Sequence, residues 1–140
     1  TTIDRVEGAQ RVGPGWVSWL LQEVVAELLR DRTTQRRLER AATEYTRRRH
    51  ALVDALARHG VAAHGRSGLN VWIPVAAEAA VVSALLVAGW GVSAGERFRI
   101  ASPPAIRVNV ARLAPGDARR LADDVARTLT SSPRARAASR

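Results

Sequence analysis

Apolar residues recur along this chain first with a helical period and then, past its midpoint, with shorter and more varied spacings. From residue 16 to Arg30 the apolar positions are 16, 17, 20, 21, 24, 25, 28 and 29, which predicts a helix buried along a broad face. Gly13-Pro14-Gly15 breaks the chain before this helix, and the polar Asp31-Arg32-Thr33-Thr34 follows it, with a threonine suited to cap the next helix. Leu38, Ala41, Tyr45, Leu52 and Leu56 then keep helical spacing up to His59, and Gly60 suits the left-handed position just past the last turn. Arg48 and Arg49 fall where the apolar seam would continue, so one of them lays its stem along the core and reaches outward, or pairs with an acid.

Beyond Gly60 the pattern reads as strands. Val61-Ala62-Ala63-His64 and Leu69-Asn70-Val71-Trp72-Ile73, joined through Gly65-Arg66-Ser67-Gly68, predict a hairpin in which Leu69, Val71 and Ile73 share a face. A short helix from about Ala77 to Ala88 ends at Gly89, and Gly91-Val92-Ser93 is a brief strand entering the turn Ala94-Gly95. Arg97-Phe98-Arg99-Ile100 and the stiff Ser102-Pro103-Pro104 lead into the strand Ile106-Arg107-Val108-Asn109-Val110-Ala111. Pro115-Gly116-Asp117 opens a last helix striped by Ala118, Leu121, Ala122, Val125, Ala126 and Leu129. The expected fold is α+β: a small mixed or antiparallel sheet with helices packed on one side, preceded by a long helix, in the order helix, helix, strand, strand, helix, strand, strand, helix. No βαβ repeat and no glycine-rich phosphate loop is present, which leaves a dinucleotide or Walker-type site without support.

Composition narrows the classes. The 140 residues, 46% of them hydrophobic, suit one compact domain. There is no cysteine, and His50, His59 and His64 are too dispersed to form a ligand set, so no metal site is expected. The opening residues carry no signal pattern and no stretch approaches a membrane span, so a cytoplasmic location without membrane contact is expected. Methionine is absent, including at position 1, and we expect the chain to be part of a longer protein. A net charge of +9 invites a nucleic-acid surface. Many of the arginines, however, fall on or just before one long helix as a solvated face, and the aromatic interleaving of single-strand binders is missing. All 22 basic residues are arginine, so chemistry that needs a lysine amine lies outside this polypeptide.

Arg107 is the residue that asks for an explanation. A charged guanidinium inside an apolar strand needs an anionic partner or an exposed edge. The partner is either a ligand carboxylate or an internal acid such as Glu96. No serine, histidine and acid form a recognisable catalytic arrangement, so no catalytic residue is assigned. A protein-interaction or dimerisation module, using Trp16, Trp19 and the first helix as an apolar patch, is the alternative from another class.

Several strings in order resemble a known family. Arg37-Leu38-Glu39-Arg40 with Tyr45-Thr46-Arg47-Arg48-Arg49-His50-Ala51-Leu52, then Gly68-Leu69-Asn70-Val71-Trp72, Gly91-Val92-Ser93-Ala94-Gly95-Glu96-Arg97-Phe98 and Ile106-Arg107-Val108-Asn109-Val110-Ala111, are similar to the small domain of fold-type I, pyridoxal-phosphate-dependent aminotransferases of class I/II. The closest likeness is to the aminotransferase-like domain of MocR-type GntR regulators. Val12-Gly13-Pro14-Gly15-Trp16-Val17-Ser18 resembles the start of the helix that follows the cofactor lysine, and the likeness covers roughly residues 3–130.

The resemblance implies a segment of the large domain at 1–15 and a small domain with its joining helices at 16–130, and the Ser, Ala, Arg and Pro composition from Ser131 onward predicts a disordered tail at 131–140. It implies that Arg107 binds the carboxylate of an amino-acid-like ligand. Asn109, on the Arg107 face by strand alternation, is read as a polar residue of the rim, and Arg97 and Arg99, flanking Phe98 on a loop that the family places near the active-site mouth, are either rim residues or plain surface charges. Pyridoxal phosphate is implied for the full-length parent, with none held covalently by these residues, and the isolated chain should not transaminate. The implied partners are the upstream large domain, a second copy in a homodimer, and DNA through an N-terminal winged helix outside these residues. The parent is then an effector-sensing regulator or, alternatively, an active aminotransferase.

Overall fold

A computed structural model of the chain describes residues 3–5, 18–114 and 116–131. The predicted break at Gly13-Pro14-Gly15, Trp16 at the start of the first helix, Pro115 and the tail beyond residue 131 lie outside the described residues. The chain divides into two compact units, 1–40 and 41–140, and helix α2 (Arg32–Arg58) runs through the boundary.

In the first unit, α1 (Trp19–Arg30) forms where the periodicity places it, but none of its residues is buried. Trp19 is 68% exposed, and Leu20, Leu21, Val24, Val25, Leu28 and Leu29 are exposed with it. This corrects the expectation of a buried broad face: spacing dictates that a helix has an apolar stripe, whereas burial needs a covering surface. The cap of α2 is also corrected. Asp31, not a threonine, ends one helix and begins the next: its N–H donates to the Glu27 carbonyl at 3.1 Å, and its carboxylate accepts the Thr34 N–H at 2.6 Å. That backbone N–H holds the Asp31 carboxyl below its ordinary pKa.

In the second unit, the C-terminal half of α2 buries Leu52, Ala55 and Leu56 and stops at Gly60, whose φ of 69° needs no side chain. Strand β1 (Asn70–Pro74) follows, then α3 (Glu78–Val87), β2 (Ser93–Ala94), a 3-10 turn (Gly95–Arg97), β3 (Ala105–Asn109) and α4 (Asp117–Ser131). The three strands are antiparallel in the order β1-β3-β2, so β3 is central. The predicted first limb of the hairpin is not a strand. It shrinks to a single bridge, His64 with Trp72, closed by two bonds of 2.8 Å, while the Val61 N–H is taken by the Leu56 carbonyl at the end of α2.

Val71, Ile73, Ile106 and Val108 project to one face of the sheet and pack with Leu52, Leu56, Val81, Leu85, Leu121 and Val125 of the helices. Each such apolar side chain, fully buried, contributes about 1.5–3 kcal/mol. Both arginines that interrupt the α2 seam find partners. Arg48 pairs with Glu44 at 2.7 Å and donates to the Ala111 carbonyl. Arg49, only 4% exposed, donates to the Gly68 carbonyl at 2.7 Å and lies where a Cβ on Gly65 would come within 3.1 Å of its Cδ.

Candidate functional site

Strand alternation puts Arg107 on the face opposite the helical core, level with Trp72 on β1 and Ser93 on β2. Because β3 is the middle strand, an exposed edge does not explain this arginine. Its guanidinium carbon lies 3.7 Å from the centroid of the Phe98 ring, a cation–π stack that holds the fork against an apolar plate. Its Nε is buried and has no acceptor. Glu96 is exposed and is not its partner; among the described residues no carboxylate pairs with Arg107. A half-buried guanidinium that no internal acid occupies is a place where an anion gains charge-assisted hydrogen bonds without first displacing one.

The other sequence-derived candidates are arranged differently. Asn109 is exposed, and its Oδ1 accepts the Ala111 N–H at 2.9 Å, a local turn bond just past the strand. Arg97 is exposed in the 3-10 turn. Arg99 turns to Glu78, with Nε 3.2 Å from Oε1. The fold thus brings Arg107 and Phe98 together, while Asn109 and Arg99 have protein partners of their own.

Two residues nearby matter more than the pattern of the sequence suggests. Gly95 lies so close to its neighbours that an added Cβ would meet the Ala105 carbonyl oxygen at 2.5 Å and the Trp72 ring at 2.7 Å. Glu78, the first residue of α3, has a side chain only 10% exposed, and it accepts the Glu96 N–H at 2.8 Å through Oε2 and the Ala105 N–H at 2.9 Å through Oε1. The Ala105 N–H above all, with the Glu96 N–H and the Arg99 guanidinium, keeps its carboxyl below the ordinary glutamate pKa against the opposing effect of burial. An acid in the first turn of a helix signals only a favourable dipole contact from sequence, so this role was hidden.

Among the described residues no helix is long and apolar enough to cross a membrane. Comparison with known proteins gives two findings. The vitamin B6 salvage pathway transcriptional repressor PtsJ of Salmonella typhimurium is 33% identical over 119 residues, which are 84% of this chain and 28% of that relative. The chain therefore spans little more than a quarter of that repressor's length. Residues 6–125, most of the polypeptide and including Arg107, Gly95 and Phe98, match the description Aminotransferase class I and II, and the chain belongs to that family.

Proposed function

We propose that this domain is the effector-sensing part of a GntR/MocR-type transcriptional regulator, in which Arg107 grips the carboxylate of an amino-acid ligand. The observation that carries the reading is the Arg107 guanidinium itself, half-buried on the central strand, stacked on Phe98 and paired with no carboxylate among the described residues. A planar fork offers two parallel hydrogen bonds to a carboxylate and so orients the ligand as well as holding it. The likeness to a transcriptional repressor favours sensing over turnover. In this reading DNA is contacted by a winged helix outside these residues, and the parent acts as a homodimer.

Members of the family use pyridoxal phosphate in their full-length form. The 140 residues contain no lysine, so they do not fit the role of covalent holder, and whatever chemistry the cofactor supplies depends on residues elsewhere in the parent. What this chain's residues can do is bind and orient the ligand's acid group.

In the full-length protein, Arg107→Ala should weaken the binding of the cognate amino acid, identified from a panel of L-amino acids by calorimetry, while the cofactor's visible absorbance stays unchanged. Loss of charged hydrogen bonds worth about 1.5–3 kcal/mol corresponds to roughly 10- to 150-fold in affinity. Arg107→Lys should fall between, because it keeps the charge and loses the fork. Unaltered affinity in both variants would refute the assignment. A second reading, an interaction module working through α1, is favoured by the exposed apolar face of that helix.

A further inference from the structure

Phe98, the plate on which Arg107 rests, does not sit on the sheet but on the connection 95–104 between β2 and β3. A connection of that length has no reason of its own to hold one ring against one guanidinium. What fastens it is distant in sequence. The two oxygens of Glu78 take the N–H of Glu96 at one end of the connection and the N–H of Ala105 just past the other, while Arg99 between them lies 3.2 Å from the same carboxylate. Gly95 lets the near end of the connection settle against the Ala105 carbonyl and the Trp72 ring, where any Cβ would intrude.

We propose that Glu78 is a positioning residue for the carboxylate-binding arginine: by clasping both ends of the 95–104 connection it keeps the Phe98 ring on the Arg107 guanidinium and presents the fork in one orientation. The inference rests on the reading of Arg107 given above and deepens it, because a preorganised fork binds without first being ordered. Two acceptor oxygens are required. A glutamine would turn an NH2 group toward one of the two N–H donors and lose that half of the clasp, and an aspartate is one methylene too short to serve both.

The test reads Arg107 directly in the intact chain labelled with 15N-arginine, its Nε–H resonance being assigned by its disappearance in Arg107→Gln. Phe98→Leu should abolish the ring-current displacement of that resonance. Glu78→Gln should move it to the position seen in Phe98→Leu, while the core methyl signals of Val71, Ile106 and Leu121 stay dispersed. Arg99→Gln should retain most of the displacement, because both backbone donors keep their acceptor. Should Glu78→Gln lose the core dispersion, Glu78→Asp keeps the charge and must shift the resonance in the same direction. A folded Glu78 variant with the wild-type Arg107 resonance overturns the proposal, as does a resonance indifferent to Phe98→Leu. Titration with acetate separates this inference from the one beneath it. A wild-type resonance that acetate does not move counts against Arg107 as a carboxylate binder and leaves the clasp intact, whereas a resonance that acetate moves equally in wild type and Glu78→Gln defeats the clasp alone.

Discussion

Helices α1 and α4 carry the same kind of apolar stripe and meet opposite fates. In α4, Ala118, Leu121, Ala122 and Val125 are buried against the sheet and its neighbours, whereas in α1 every large apolar side chain from Trp19 to Leu29 is exposed. Amphipathic spacing therefore reports that a helix has a side to hide and says nothing about what hides it. The pair also shows where stability resides. Removing apolar atoms matters where their departure leaves a cavity and matters little where water already touches them.

The sharpest test sets one leucine of each helix against the other. Leu121→Ala should cost about 2–5 kcal/mol, the range for large-to-small changes in a packed core, while Leu28→Ala in α1 should stay within about 0.5 kcal/mol in the chain diluted to a monomer. Thermal or urea unfolding followed by circular dichroism measures both. Equal losses would mean that α1 is covered after all.

A second experiment attacks the same contrast from the side of α1. A face bearing Trp19, Leu21, Val24, Val25 and Leu28 should drive concentration-dependent self-association of the chain, and the double change Leu21→Glu with Leu28→Glu should abolish it. Sedimentation velocity over a wide concentration range reads this out. A monomer at every concentration would remove the idea that this surface seeks a partner of its own kind.

The smallest effect concerns charge on α2. Glu44 bridges Arg47 and Arg48, and the hydrogen bond from Arg47, then that from Arg48, lowers its pKa from 4.5 to about 2. A carboxyl depressed in the folded state stabilises the fold above its free pKa and loses that contribution as the pH falls. The window here runs from 4.5 down to about 2. Glu44→Gln should flatten the acid limb of the stability profile in that interval by slightly lowering the neutral plateau, with stability at the acid end unchanged; an identical acid limb would show the bridge to be inconsequential.

Much of this architecture is written in short-range chemistry. The end of α2 at Gly60 and of α3 just before Gly89 follows from helical periodity stopping at glycines that adopt φ of 69° and 90°. The shared face of Leu69, Val71 and Ile73 follows from strand alternation, and the Arg107 strand lies where its apolar run placed it. What the sequence could not disclose depends on contacts between distant residues. Asp124 is an example: it sits on the helix stripe among apolar neighbours, nearly buried, because it accepts the Trp90 Nε1–H at 2.7 Å and an Arg127 N–H from within its own helix. No periodicity connects residues 90 and 124. The same holds for Glu78, whose partners lie 18 and 27 residues away, and for the hairpin limb that survives as one bridge. Within the candidate site, the position of Arg107 was readable and its Phe98 plate was not, since the stack depends on how the 95–104 connection is folded.

Asp31 alone separates two helices. It is the whole joint between α1 and α2, extended in its backbone at φ −70° and ψ 123°, with its N–H spent on the helix behind and its carboxylate on the helix ahead. A lone carboxylate therefore acts as the punctuation between two segments that could otherwise fuse into one uninterrupted rod from Trp19 to Arg58. Replacing it with alanine, a strong helix former, would take away the stop and favour such straightening.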